Sequence, residues 1–329
     1  KKLGEQKALI AIAISTMIIC AVGVFIDISV ITCAPIALAV GKKSNLSKSS
    51  ILLAMIGGGK AGNVISPNPN TIATAEGFKL NLTSLMYVNI IPAICALIVT
   101  IIIAMALAKR KTDVIDSSDL ESSERTNLPS FFASIIGPIT VIVLLALRPI
   151  AKITIDPLIA LPLGGFVCLL ATKETKNTKE YVNYGFSKTI GVCALLIGTG
   201  TIAGIIKNST LQTDMINLIT AFNLPAFILA PVAGILLGGA TASTTAGSTI
   251  ASQTFAKSLI DANVTALNAG AMVHAGATVI DSLPHGSFFH ATGGSVKMSI
   301  ADRLKIIPYE AAVGLTTTIA SVLVYLITK

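Results

Sequence analysis

The chain has 329 residues, of which 53% are hydrophobic and only 12% are charged, and its mean hydropathy is +0.81. Because about a quarter of the residues in soluble domains are charged, this composition excludes an ordinary soluble protein and predicts one that lies in a lipid bilayer. The formal net charge of +8 does not indicate a nucleic-acid partner, since the lysines and arginines lie in short loops between apolar runs.

The sequence carries no signature of an enzyme or of a bound cofactor. Its five cysteines lie singly in apolar segments without the spacing of metal ligands, so we interpret them as small core residues. Gly57-Gly58-Gly59-Lys60 superficially resembles a phosphate-binding loop, but no Ser or Thr follows the lysine and the spacing fails. We therefore expect neither catalysis nor a cofactor or metal.

Charge-free runs long enough to cross a bilayer, at about 20 residues per helix, recur along the chain. They are residues 8–26, 80–108, 128–147, 189–206 and 311–328. Residues 215–256 form a longer uncharged run, which predicts a helical hairpin instead of one helix.

The basic residues predict how the first half is threaded, because Lys and Arg concentrate in cytoplasmic loops. With the basic N-terminus inside, residues 8–41 return to a second basic loop and should form a hairpin entered from the cytoplasm. Residues 49–76 then cross outward and residues 84–108 cross back. The segment 109–130, rich in Asp, Glu and Ser, is predicted to be a cytoplasmic linker.

The second half is predicted to contain two scaffold crossings, a basic cytoplasmic loop and a further crossing before the hairpin. An apolar stripe at helical spacing then indicates a helix lying in the membrane interface, and it consists of Leu211, Met215, Leu218, Ile219 and Phe222. The predicted segments in order are 131–148, 155–172, 189–206, the interfacial helix, the hairpin 224–256, the crossing 263–292 and the crossing 306–328.

The two halves resemble each other in sequence. The matches are Ala54-Met55 with Ala271-Met272, Gly59 with Gly276, Pro67 with Pro284, and Ile90-Ile91-Pro92 with Ile306-Ile307-Pro308. Because the first hairpin is entered from inside and the second from outside, we expect inverted repeats. The predicted domains are a first repeat at 1–108, the linker at 109–130 and a second repeat at 131–329. The first residue is Lys, so we expect the first repeat to be truncated at its start.

Four polar stretches interrupt the apolar segments, at residues 27–29, 66–71, 241–245 and 281–287. Irregular backbone at membrane depth persists where it lines a polar cavity or is buried in protein. Broken helices at corresponding positions of two halves indicate the binding site of a transporter. We therefore expect the four stretches to meet near the bilayer midplane.

Prolines in two of these breaks free backbone groups, and the helices that resume after them offer N–H groups to a carboxylate. Neutral polar side chains could bind the substrate's hydroxyls, although each could instead join helices to one another. The predicted substrate-binding residues are Ser29, Ser66, Asn68, Asn70, Thr71, Thr241, Ser243, Thr244, Ser282, His285 and Ser287.

Titratable residues inside the apolar segments are candidates for proton coupling. Asp27 and Asp281 are acidic residues within predicted membrane segments, where burying a charged side chain costs about 2.5 kcal/mol or more. Because of this cost, we expect both residues to have a function. His285 lies four residues after Asp281, and histidine is the residue type best suited to exchange protons near physiological pH. We predict that these three residues carry protons, the alternative being a structural Asp281–His285 pair. Lys60 is expected to pair with an acid or to attract an anion.

In the polar breaks, the sequence resembles the gluconate permease family of the ion transporter superfamily. The stretches that carry the resemblance are Phe25-Ile26-Asp27-Ile28-Ser29, residues 66–73, residues 238–247 and Asp281-Ser282-Leu283-Pro284-His285. The last motif is most similar to the hydroxybutyrate permease branch. The resemblance covers essentially the whole chain and implies an elevator-type carrier, a homodimer in a bacterial inner membrane. A full family member would have further scaffold helices at its start.

These observations predict an all-α polytopic membrane protein that takes up a small hydroxy-monocarboxylate, of the gluconate or 3-hydroxybutyrate type, together with protons. A single carboxylate is favoured because, without buried arginines, each further negative charge would need a bound cation or a proton. One alternative is a sodium-coupled carrier of di- or tricarboxylates. The other is a channel or a non-transporting membrane subunit, but a channel should have a continuous polar stripe along several helices.

Overall fold

The computed structural model describes residues 2–110, 113–120, 129–151, 153 and 155–328. Apart from an isolated bridge between Ser47 and Val114, the regular secondary structure of these residues is helical, as the composition predicts. The chain divides into two compact units, one comprising Lys1–Glu121 with Thr199–Lys329 and the other Ser122–Gly198.

The larger unit begins with a first series of six helices. They are α1 (Lys2–Ala21), α2 (Ile26–Lys43), α3 (Lys48–Asn63), α4 (Pro69–Gly77), α5 (Leu82–Val88) and α6 (Ile90–Ala108). Over the predicted hairpin at 8–41, α1 and α2 pack against each other. The predicted break is confirmed between α3 and α4, where residues 64–68 are not helical. Asn89 separates α5 from α6 within the segment predicted to cross as one helix.

The smaller unit contains a second group of helices, namely α7 (Phe131–Ala151), α8 (Pro157–Ala171) and the first part of α9 (Thr178–Lys207). Helices α7 and α8 pack closely, since a Cβ on Gly164 would lie 2.3 Å from the Val141 side chain. The segment 189–206, predicted as a crossing, lies within α9, which begins earlier, at Thr178. The lysines that suggested a loop are good helix formers. A run of basic residues therefore does not indicate where the helix ends.

The larger unit continues with a second series of helices, in the region where the second hairpin is predicted. Its helices are α10 (Leu211–Ala221), α11 (Leu229–Thr241), α12 (Thr244–Asp261), α13 (Ala266–Ala277), α14 (Ser287–Ser295), α15 (Ile300–Leu304) and α16 (Ile307–Thr328). Of the apolar stripe predicted on α10, Met215 and Ile219 are buried and Leu211, Leu218 and Phe222 are exposed. Ala242 forms the tip of the α11–α12 hairpin in the left-handed conformation, at φ 46°.

The same order of elements occurs twice in the larger unit. Helices α2 and α12 both have 18 residues, and α4 and α14 both have 9. The second member of each pair starts 218 residues after the first, at position 244 against 26 and 287 against 69. Left-handed residues recur at the same spacing, since Asn45 corresponds to Asn263 and Lys79 to Lys297. The repeat is therefore present in the backbone as well as in the sequence.

Equivalent glycines also pack equivalent helix pairs. A Cβ on Gly58 would lie 2.1 Å from the carbonyl oxygen of Ala13, where α3 crosses α1. A Cβ on Gly276 would lie 2.5 Å from the carbonyl oxygen of Pro231, where α13 crosses α11. The backbone register pairs Gly58 with Gly276, so the sequence matches of Ala54-Met55, Gly59 and Pro67, which are spaced by 217 residues, are one residue out of register.

Three helical segments in the described part of the chain are long and apolar enough to cross a membrane, namely Gly4–Ala21, Ile90–Ala108 and Ile300–Thr328. Helix α6 exposes Ile91, Ile94, Ile98 and Ile102, which recur about once per helical turn. A continuous apolar face of this kind is suited to lipid. The structure is thus that of a helical membrane protein.

The predicted linker at 109–130 is partly ordered against neighbouring loops, while its residues 111–112 and 121–128 lie outside the described residues. Asp119 pairs with Lys48 at 2.8 Å, and Lys297 Nζ donates to the Ser118 carbonyl at 2.8 Å. Burial of Asp119 opposes its ionisation, but hydrogen bonds from Lys48 and the Asp116 N–H and the charge of Lys297 lower its pKa. The segment is thereby held to the start of α3 and to the loop that precedes α15.

Candidate functional site

The first break is a buried network of amide side chains. Helix α4 starts with Pro69, which sacrifices no hydrogen bond at this position. Asn68 caps the helix, and its Oδ1 accepts from the backbone N–H groups of Asn70 at 2.9 Å and Thr71 at 3.1 Å. Asn63, the last residue of α3, accepts at Oδ1 from the amides of Asn68 at 2.7 Å and Asn70 at 2.9 Å. The local sequence thus builds a rigid polar turn.

The second break contains a buried carboxylate that three side chains contact. Residues 278–286 are not helical, and Asp281 lies among them with 2% exposure. Its Oδ1 accepts from Lys60 Nζ at 2.7 Å and from Ser282 Oγ at 3.0 Å, and its Oδ2 accepts from Thr244 Oγ1 at 2.6 Å. The carboxylate therefore joins α3, the second break and the start of α12.

Lys60 lies in the last turn of α3 and is fully buried. Besides Asp281, its ammonium donates to the carbonyl oxygens of Thr278 and, at 3.4 Å, of Glu310. The end of a helix is a favourable place for a cation because of the helix dipole. The prediction that Lys60 pairs with an acid is confirmed.

The tip of the α11–α12 hairpin connects the two breaks. Thr244 and Thr245 are the first residues of α12; Thr244 contacts Asp281, and the Thr245 hydroxyl donates to Asn70 Oδ1. Ser243 caps α12 by accepting from the Ala246 N–H. The N-termini of α4 and α12 consequently lie side by side, and their partial positive charges favour an anion.

The first hairpin contributes less to this cluster than the sequence suggested. Ser66 Oγ donates to the Cys20 carbonyl at 2.7 Å, which joins the first break to the end of α1. Ser29 donates to the Ile26 carbonyl within its own helix. Asp27 is half-buried and accepts from the Ile28 N–H. Among the described residues, the Asp27 carboxylate has no hydrogen bond to another helix, so 27–29 is not joined to the other breaks through Asp27.

The predicted Asp281–His285 pair is wrong. A spacing of four residues brings side chains together only on a helix, and residues 278–286 are not helical. His285 is exposed, as is Ser287 at the start of α14, while Lys60 occupies the place beside Asp281. Thr241 donates to the Leu237 carbonyl of its own helix.

Residues that the sequence interpretation did not select lie at the centre of the network. Asn63 occupies in the first series the position that Asp281 occupies in the second, 218 residues later, and this equivalence is the signal that could have found it. His274 Nε2 lies 3.4 Å from Asn63 Nδ2 in a fully buried environment. Thr245, inside a predicted break, makes the contact to Asn70.

The expectation of no buried arginine is also wrong. Arg303 of α15 is 1% exposed and forms a two-nitrogen ion pair with Glu310 of α16. Its Nη2 also lies 3.2 Å from Thr292 Oγ1, and its guanidinium lies 4.9 Å from the centre of the Phe289 ring. Glu310 compensates the charge of Arg303, so the pair adds no free cation. The described residues contain no group of three or more His, Cys, Asp or Glu able to hold a metal ion.

Sequence comparisons show which known proteins the chain is similar to. The sequence profile described as GntP family permease matches residues 1–328. An uncharacterized transporter of Haemophilus influenzae is 53% identical over 324 residues, which cover 98% of this chain and 77% of that relative.

Proposed function

The chain belongs to the GntP family of permeases, and we propose that it is a secondary carrier that couples the uptake of a small hydroxy-monocarboxylate to protons. The family and the relative make it a membrane transporter, which accords with its apolar helices. The substrate class and the coupling ion are our inference from the charges and polar groups of the two breaks.

The groups around the breaks suit one carboxylate and several hydroxyls. Helices α4 and α12 present adjacent N-termini, which can hold one carboxylate. Asn63, Asn68, Asn70 and Thr245 add neutral donors and acceptors that can bind hydroxyl groups.

The observation that carries the proposal is the balance of buried charges. Lys60 is compensated by Asp281 and Arg303 by Glu310, so these buried cations leave no positive charge to spare. A monocarboxylate that enters with one proton leaves this balance unchanged. A dicarboxylate would bring a second negative charge, which is costly to bury without a partner. Proton-coupled transport of a monocarboxylate is therefore favoured over sodium-coupled transport of citrate-like anions.

We further propose that the two series of helices are inverted repeats and that the carrier works by an elevator movement, as a homodimer in a bacterial inner membrane with several crossings. The recurrence of helices and left-handed residues at a spacing of 218 supports the repeat. In this arrangement residues 1–108 and 131–329 are the repeats, residues 109–130 are a cytoplasmic linker and α10 lies in the interface.

Uptake by proteoliposomes tests the proposed function. Labelled gluconate, 3-hydroxybutyrate and citrate are offered under a pH gradient, a sodium gradient or neither. We expect a pH gradient to drive accumulation of one of the two monocarboxylates. Accumulation of citrate under a sodium gradient would overturn the proposal in favour of a di- or tricarboxylate carrier, and equilibration without accumulation under any gradient would indicate a channel.

Two matched asparagines show whether the first break is the binding site. Asn68 caps α4 inside the network, whereas Asn81 caps α5 in an exposed position by the same kind of hydrogen bond. Asn68→Ala and Asn81→Ala each remove a cap worth about 1 kcal/mol. We expect only Asn68→Ala to lose uptake by tenfold or more, and equal uptake by both variants would place the site elsewhere.

A further inference from the structure

We propose that Lys60 and Asp281 form a coupling centre in which a proton on Asp281 releases the Lys60 ammonium to bind the substrate's carboxylate. This inference rests on the proposed function, and it adds Lys60 to the helix N-termini that hold the substrate's carboxylate. It also specifies that one proton and one carboxylate move together.

The geometry makes the pair the link between separate parts of the fold. Lys60 belongs to α3 and Asp281 to the second break, 221 residues apart in sequence, and both are buried. Two backbone carbonyls, of Thr278 and Glu310, hold the ammonium in place independently of the carboxylate. Lys60 therefore keeps its position when its contact with Asp281 is lost.

The exchange conserves charge at each stage. A proton from the outer solution forms an O–H bond at Asp281 Oδ1, and the hydrogen bond from Lys60 Nζ to that oxygen breaks. The substrate carboxylate then takes the place of the Asp281 carboxylate beside Lys60. On the inner side the substrate leaves, the proton is released to water and the original pair forms again. Each cycle moves one proton and one carboxylate and carries no net charge.

Coupling follows from the cost of an unpaired buried charge. A proton alone would leave the Lys60 ammonium uncompensated, and a carboxylate alone would place two negative charges beside one positive charge. Removing one partner of a buried pair is strongly unfavourable, so each half-loaded state is disfavoured. The empty and the fully loaded states are both neutral.

Thr244 connects this centre to the hairpin tip. Its hydroxyl contacts Asp281 Oδ2, the oxygen that does not face Lys60. A proton on Oδ1 leaves this contact to Oδ2 in place until the substrate displaces the Asp281 carboxylate, and substrate access to the buried pair requires the tip to move. The start of α12 would therefore open and close together with the site.

Other titratable groups on the helices around the pair are engaged elsewhere. Arg303 and Glu310 bind each other, His274 contacts Asn63, and His290 contacts the Pro284 carbonyl. In the described part of the chain, none of the remaining titratable side chains on these elements is hydrogen-bonded to the Lys60 ammonium or the Asp281 carboxylate. Those side chains are Glu5, Lys7 and Cys20 on α1, Asp27, Cys33, Lys42 and Lys43 on α2, Lys48 on α3, Glu76 on α4, Cys95 on α6, Lys257 and Asp261 on α12, and Tyr309 and Tyr325 on α16.

The test measures substrate binding and transport against pH in reconstituted protein, using the monocarboxylate that the wild type accumulates. In the wild type, substrate affinity should fall by about tenfold per pH unit at alkaline pH, as expected when one proton binds with the anion. Asp281→Asn should bind and exchange substrate without this pH dependence and should not accumulate it under a pH gradient. Lys60→Met should lose binding at every pH.

Two further variants separate the effect of a lost charge on substrate binding from its effect on folding. Lys60→Met/Asp281→Asn removes both charges and should fold even where Lys60→Met does not, yet it should not bind substrate. Lys305→Met removes an exposed lysine that pairs with Asp302, and it should retain the wild-type pH profile.

The outcomes distinguish the coupling centre from the proposed function. A pH-dependent affinity or pH-driven accumulation in Asp281→Asn would overturn the coupling centre while leaving the carrier proposal intact. Binding by Lys60→Met or by the double variant would overturn the role of Lys60. If the wild type accumulates no monocarboxylate under a pH gradient, the proposed function itself fails.

Discussion

Two buried ion pairs have different roles because they join different parts of the chain. Arg303 and Glu310 lie seven residues apart and fix the turn between α15 and α16. Lys60 and Asp281 lie 221 residues apart and connect α3 to the second break. The side chains of the local pair stabilise this turn, while the backbone carbonyl of Glu310 accepts from Lys60. The distant pair lies next to the tip of the α11–α12 hairpin.

We predict that Arg303→Met destabilises the protein by about 3–5 kcal/mol, because Glu310 is left as an unpaired buried charge. Arg303→Met/Glu310→Met should recover most of this loss, since no buried charge remains. Thermal unfolding in detergent measures both. The exposed pair Lys305–Asp302 provides the control, and Lys305→Met should leave the unfolding temperature unchanged. Equal unfolding temperatures for wild type and Arg303→Met would show that the buried pair does not stabilise the fold.

At the scale of elements, the repeat depends on two close helix crossings. The contacts of Gly58 with Ala13 and of Gly276 with Pro231 bring a glycine against a backbone carbonyl in α1–α3 and in α11–α13. A neighbouring backbone cannot yield as a flexible side chain can. Both crossings therefore depend on glycine at these positions.

We expect Gly58→Ala and Gly276→Ala each to destabilise the protein by about 1–3 kcal/mol, because the added methyl group overpacks the crossing. Gly294→Ala is the matched control, since nothing lies within 4 Å of a Cβ at that helical position. It should be neutral or slightly stabilising. Thermal unfolding of the three variants decides the matter, and a neutral Gly58→Ala would contradict the close crossing.

At the scale of the whole molecule, the two series differ in how the chain is expected to thread the bilayer. Asn45 follows α2 and Asn263 follows α12, and both are exposed in the left-handed conformation. Inverted repeats would place these equivalent loops on opposite sides of the membrane. Parallel repeats would place them on the same side.

Single cysteines at the two loops distinguish these arrangements. We predict that Asn45→Cys and Asn263→Cys, in a background without the five native cysteines, react with a membrane-impermeant maleimide from opposite sides of intact cells. Asn45→Cys should react only after permeabilisation, because the loop after α2 is basic. Reaction of both residues from the same side would rule out inverted repeats.

The sequence by itself determined the elements and the two breaks, because their signals are local. Apolar runs, the proline at position 69 and the capping Asn68 place α3 and α4 without knowledge of the rest of the chain. The hairpin at the second tip follows from an uncharged run too long for one helix. The boundaries of this hairpin and the start of α9 were predicted less accurately, because they depend on packing and helix propensity.

Only the tertiary structure decided which polar residues meet. Lys60 reaches Asp281 across 221 residues, and Thr245 reaches Asn70 across 175. Sequence spacing instead suggested His285 as the partner of Asp281, but a non-helical break does not keep residues four apart on one side. Contacts between distant segments are set by how helices cross, and short-range patterns contain no information on those crossings.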